Sequence, residues 1–246
     1  MVNELKNEHR RSKHLQRSLD RMQTDLLSLF GIVEQMINKA VQALYQRDIT
    51  LADEVIKTDR TVDQREVAIE DDCLKLLALH QPVAGDLRWT TTVIKVNSDL
   101  ERMADLACNI AERAKALTHF PLFPIPDDFQ TMVSEATTMV SRALDSFVES
   151  DTSLALNVMR SDDRIDELNR NLIHELREVM KGDPESVEPA LHCFSAARHL
   201  ERIADLAENI AEDVIFLVEG EIIRHKPSDF AKIAALQQQN ASGSGN

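Results

Sequence analysis

The chain has 246 residues, 43% hydrophobic and 28% charged, with 28 Lys and Arg against 42 Asp and Glu for a formal charge of −14. That balance argues against nucleic acid, whose phosphate backbone needs clustered cations, and against direct docking to anionic lipid. Only 6 glycines and 4% aromatic residues leave little turn punctuation and few strand formers, so long helices are expected.

The first helix is expected over roughly 13–47. Near its start lies the one basic stretch, Arg10, Arg11, Lys13, His14 and Arg17, read as a solvated helix end. Asp48 to Thr50 separates it from a second helix starting near Leu51, which Gln81-Pro82 ends because proline disfavours helical geometry in the preceding residue. The third runs from about Val83 to Thr118. Its Val93, Val96, Leu100, Met103, Ala107, Ile110, Ala114 and Leu117 recur at 3-4-3-4-3-4-3, an apolar seam along one face. Phe120 to Pro126 carries three prolines and is the strongest breaker in the chain. Three more helices follow near 127–149, 151–181 and 187–220, the last two punctuated by Gly182-Asp183-Pro184. Trp89 is expected to pack between helices.

No stretch approaches the ~18 apolar residues of a membrane-spanning helix. The start, MVNELKNEHRRSKHL, carries no apolar signal-peptide core. Cys73, Cys108 and Cys193 are odd in number and form no CxxC, which fits a reducing compartment. The expected location is the cytoplasm.

The two halves repeat one pattern. Residues 100–112, LERMADLACNIAE, and 200–212, LERIADLAENIAE, differ only at Met103/Ile203 and Cys108/Glu208. Upstream, Asp48, Leu51, Ala52, Val55, Asp59, Val62 and Asp63 correspond at an offset of 103 to Asp151, Leu154, Ala155, Val158, Asp162, Ile165 and Asp166. The expected architecture is all-α: two tandem antiparallel three-helix bundles related by internal duplication. The first spans 1–119, a proline-rich linker 120–126, the second bundle 127–225, and a flexible tail 226–246.

Each half carries acidic stripes. Glu201, Asp205, Glu208 and Glu212 are spaced 4-3-4 on the final helix, beside the apolar seam Leu200, Ile203, Ala207, Ile210 and Val214. The first half has Glu101, Asp105, Cys108 and Glu112 in these places. The preceding helix of each half adds an i,i+4 pair, Asp59/Asp63 (continued by Glu66 and Glu70) and Asp162/Asp166. Like charges at that spacing destabilise a helix by roughly 0.2–0.5 kcal/mol per pair. Antiparallel packing brings the pairs together into a hard, oxygen-rich site suited to Fe, Mn, Mg or Ca, one per half. The bland alternatives are a solvated face, pairing of Arg102 with Asp105 and of Arg202 with Asp205, or a block kept for its packing. His192 and His199 precede the second block and are read as packed or exposed in preference to ligands. None of the eight histidines follows a glutamate by three residues, as a ferritin-like di-iron site requires, and no P-loop, GxGxxG, HExxH or GxSxG occurs. No catalytic constellation is present, and no enzymatic activity is expected.

Leu100-Glu101-Arg102-Met103-Ala104-Asp105 and Leu200-Glu201-Arg202-Ile203-Ala204-Asp205 resemble the LERIxD signatures of the PhoU family of phosphate-signalling regulators. Gln81-Pro82-Val83-Ala84-Gly85-Asp86-Leu87-Arg88, Val67-Ala68-Ile69 and Cys73 add to the resemblance, which runs from about residue 14 to 225. It implies two three-helix bundles, often paired as a homodimer, with metal held at E(D)xxxD motifs. These fall on Asp59/Asp63, Glu101/Asp105, Asp162/Asp166 and Glu201/Asp205. The ion would be iron, manganese, zinc or magnesium, and the Cys108/Glu208 difference implies two unequal sites. The resemblance further implies a negative regulator of phosphate uptake and of the starvation response. Such a protein would be an adaptor between the Pst transporter, through its ATPase subunit PstB, and the sensor histidine kinase PhoR, reaching the inner membrane only through these partners. The rival readings are a metal-storage or metalloenzyme bundle and a metal-free scaffold.

Overall fold

The computed structural model describes the backbone of residues 2–223 and the side chains of 13–223. Six helices follow one another: α1 Val2–Gln46, α2 Ile49–His80, α3 Ala84–Leu117, α4 Asp127–Glu149, α5 Thr152–Gly182 and α6 Val187–Glu219, with one 3-10 turn at Pro184–Ser186. Among the described residues there is no strand, and no helix is long and apolar enough to cross a membrane. The first helix begins at Val2, well before the expected start near 13, because nothing in that polar stretch breaks a helix. The tail expected to be flexible, 226–246, lies outside the described residues.

α1, α2 and α3 pack on one another, as do α4, α5 and α6, and the two bundles join mainly through α3 against α6. These central helices run antiparallel, since Lys95 near the start of α3 bonds Asp213 near the end of α6. Every residue of the α3 seam is buried, and so is that of α6. Trp89 is partly buried against the same core.

The duplication extends to the turns. Arg47 and Ser150 take left-handed φ values of 54° and 52° between consecutive helices. Asp48 then caps α2, its Oδ1 accepting from Thr50 N at 2.8 Å and Leu51 N at 3.2 Å. Asp151 caps α5 in the same way, from Ser153 N at 2.8 Å and Leu154 N at 3.0 Å. Each carboxylate satisfies amide donors that the first helical turn leaves without partners. Asp48→Ala or Asp151→Ala is expected to lower stability by about 0.5–2 kcal/mol, and Asn at either site by much less. Urea unfolding of the four variants checks this.

The linker is held from the first bundle. Arg47 donates to the carbonyl oxygens of Phe120 and Pro121 at 3.0 and 2.9 Å, and Phe123 is buried. At the other end of α3, Gly220 stops α6 with φ 77°, and a Cβ there would collide with the Arg88 guanidinium.

Candidate metal centre

The short reversal at 81–83 sets α2 and α3 antiparallel, and the acidic stripes then face each other. Glu101 senses Asp105 on its own helix and Glu66, Asp63 and Asp59 across the interface; burial first, then these charges, push its carboxyl above the ordinary range. Asp59 is raised by burial, then by Asp63 and Asp105, against a hydrogen bond with Cys108 that lowers it. Burial and the neighbouring Glu70 and Asp63 raise Glu66.

The second half repeats this, with Glu208 in the place of Cys108 and Asn169 in the place of Glu66. Burial, followed by Asp205, Asp166, Asp163 and Glu201, lifts Asp162 to about 6. Glu208 rises to about 7 through burial and then Asp162, Glu212, Asp205 and Asp163. Glu201 and Asp205 are raised as well, burial again the largest cause, with Asp166 opposite both. All eight carboxylates expected from the sequence therefore fall into two groups of four, each straddling a pair of helices.

Two members were missed by that set of eight. Glu208 was read in the stripe but not among the ligands, although burial and the carboxylates around it lift it to about 7. Asn169 is 4% exposed and hydrogen-bonds Glu201. It stands 103 residues after Glu66, so the duplication itself marks the position. Where the second half has Glu208, the first has Cys108, whose thiol lies 3.8 Å from the Val55 carbonyl oxygen. Burial and the adjacent Asp59 push that thiol upward, which favours its protonated form.

The arginines offered as alternative partners of the stripes behave differently in the two halves. Arg102 turns to Asp99 at 3.6 Å, one turn back along α3, because side chains on a helix lean toward its N-terminus. Arg198 reaches the second stripe at 2.9 Å from Glu201, and the charges of Arg198 and Arg202 both pull Asp205 down against its burial. The histidines stand apart: His192 lies 5.7 Å from the Phe120 ring, and His199 Nε2 is 3.3 Å from Ser195 Oγ. Burial, then the Arg113 charge, lowers both.

The donor set suits a hard cation. Asp162 Oδ1 and Asn169 Oδ1 are buried without a hydrogen-bond partner, beside carboxylates that repel one another. Among the described residues no three such side chains are gathered closely enough, as they stand, to hold an ion.

Both clusters border one cleft. Arg102, Asp105, Leu106 and Asn109 from α3 line it with Arg202, Asp205, Leu206 and Asn209 from α6, around a volume of about 550 Å³. Each half contributes the same four residue types, so the cleft is pseudo-symmetric.

Two PhoU domains match the chain, over residues 26–114 and 129–214. The chain is 42% identical over 210 residues to a phosphate-specific transport system accessory protein PhoU homolog of Aquifex aeolicus, covering 85% of this chain and 95% of that one. It is 30% identical over 214 residues to the Escherichia coli accessory protein PhoU, covering 86% and 88%. The crystal structure of PhoU from Pseudomonas aeruginosa superposes with a TM-score of 0.80 at 37% identity, covering 84% of this chain and 99% of that one. This duplicated helical protein belongs to the PhoU family.

Proposed function

We propose that the chain is an accessory regulator of phosphate transport that works by binding and not by catalysis. It restrains phosphate uptake and the starvation response as an adaptor, a docking platform between PstB of the Pst transporter and the PhoR kinase. The relatives named as phosphate-specific transport system accessory proteins support the transport role. The observation that carries the adaptor reading is one exposed cleft to which each carboxylate cluster presents an aspartate, Asp105 and Asp205.

Metal belongs to the same proposal. Asp59, Asp63, Glu101 and Asp105 would hold it in the first half, and Asp162, Asp166, Glu201 and Asp205 in the second, with Glu208 adding a donor there. Iron, manganese, zinc or magnesium would supply the positive charge that cancels this repulsion, tying α2 to α3 and α5 to α6. The two sites are unequal in donor placement, since Glu208 stands for Cys108 and Asn169 for Glu66.

Elemental analysis tests this against a variant with alanine at Glu101, Asp105, Glu201 and Asp205. Metal in the parent protein and none in the variant is the expected result. No metal in either after reconstitution would leave a partner-facing acidic surface. A deletion strain that still represses phosphate uptake normally would overturn the regulatory role, and size measurement by light scattering tests the homodimer.

A further inference from the structure

The cleft between α3 and α6 carries hydrogen-bond donors that the chain itself leaves unused. Among the described residues Arg202 makes no hydrogen bond or ion pair, and the side-chain amides of Asn109 and Asn209 have no partner. Arg102 leans on Asp99 at 3.6 Å, but its side chain is 63% exposed, which makes that contact a weak one. Two guanidinium groups and two amides therefore line one volume, each half of the chain supplying one of each from helices that run antiparallel.

The acceptors in the same cleft are Asp105 and Asp205. Each also belongs to the carboxylate cluster of its half: Asp105 acts on Asp59 and Glu101, and Asp205 on Asp162 and Glu208. As the chain stands, the two arginines of the cleft face its two aspartates and their charges cancel. A cation held by a cluster takes that cluster's aspartate out of the balance, because the ion is then the largest local charge. With both aspartates engaged, the arginine charge and the amide donors are left uncompensated.

We propose that the cleft is a site for a tetrahedral oxyanion, inorganic phosphate, bound by Arg102, Arg202, Asn109 and Asn209 when the carboxylate clusters carry their cations. The inference rests on the metal reading above and adds a ligand to it: metal occupancy sets the charge of the cleft, and the cleft then takes an anion. The donor set selects the ligand class. A carboxylate turns its two oxygens one way, whereas phosphate offers oxygens to both helices at once, and its charge at neutral pH suits two guanidinium groups. The charge of −14 on the whole chain does not oppose this, since screening confines exposed charges to about 8–10 Å at ordinary salt. Coupling between sites is reciprocal, so phosphate should also tighten the metal.

Equilibrium dialysis of the full chain against radiolabelled inorganic phosphate, with and without manganese, tests this. The manganese-loaded protein is expected to bind phosphate about tenfold or more tightly than the metal-free protein, within the usual range of coupling between two sites. Arg102→Gln with Arg202→Gln should abolish phosphate binding and leave the manganese content unchanged. Phosphate retained by that variant would put the anion on the metal and overturn the proposal, as would a loaded parent protein that binds none. Asp105→Asn with Asp205→Asn separates the cleft from the metal reading, because it removes the same two charges with no cation present. Metal-free, this variant should bind phosphate where the metal-free parent does not. If the parent takes up no manganese, the metal reading fails and this variant decides alone: phosphate bound by it supports the cleft as an anion site, and none bound overturns it.

Discussion

Lys95→Ala is expected to lower the unfolding free energy by about 2–3 kcal/mol, while Lys95→Met combined with Asp213→Leu restores most of the loss. Lys95 Nζ lies 2.8 Å from Asp213 Oδ1 and 5.2 Å from the Phe216 ring centre, and it joins α3 to α6 across the bundle junction. Asp213 is the buried partner, its side chain 3% exposed against 44% for Lys95. Removing the lysine takes the Oδ1 ion-pair partner from a buried carboxylate. Removing the aspartate leaves a cation free to swing into water, so Asp213→Leu alone should be the milder change. The half-exposed lysine places the expected loss below that of a fully buried pair. Urea unfolding of the three variants in metal-free buffer measures it, and equal losses for the two single substitutions would refute the asymmetry.

The second large effect is an inverted pH dependence in the metal-free protein. Glu208 and Asp162 have folded values of about 7 and about 6, against ordinary values of 4.5 and 3.8. As pH falls from 7.5 the folded chain takes up protons that the unfolded chain does not yet bind, so stability rises. The rise is complete near the ordinary carboxyl range, where the unfolded state protonates too. Asp53 and Glu178 are lowered by hydrogen bonds to Lys115 and Lys181 and act in the opposite sense, below that window, while His192 and His199, lowered by burial, oppose the rise as pH falls through the ordinary histidine value of 6.5. Glu208→Gln should stabilise the metal-free protein at pH 7.5 by about 1–2 kcal/mol, a figure discounted for partial exposure, and should flatten the pH profile. For a chain of this size that is about 2–4 °C per kcal/mol in thermal unfolding. The two groups sense each other, so their steps belong to the pair. Metal should reverse the sign, making Glu208→Gln destabilising in the loaded protein. Thermal melts at several pH values, with and without metal, decide this; a metal-free protein most stable at pH 7.5 would contradict it.

Much of the architecture was legible because helical period and breakers are local properties. The seam from Val93 to Leu117 is buried as its spacing requires, and the proline linker falls between Leu117 and Asp127, where the helices stop. The facing of Asp59 with Asp105, and of Asp162 with Asp205, followed from antiparallel hairpins with short turns. Repetition at two offsets carried the same inference to both halves.

The tertiary structure alone decided how the bundles meet. Lys95, Asp99, Arg102, Leu106, Asn109 and Arg113 form a second, mostly polar stripe on α3, which by periodicity reads as a solvent face. α6 brings Ser195, His199, Arg202, Leu206, Asn209 and Asp213 to the same junction, burying Asp99 and Asp213. Pairing between positions 118 residues apart leaves no local trace, so neither the Lys95–Asp213 bridge nor the shared cleft was readable. The choice of Asp99 over Asp105 by Arg102 was equally hidden, since both lie three residues away along the helix. Local pattern determines which faces are apolar or charged. Which charged face is buried depends on the helix that arrives opposite it, and that is a property of the folded chain.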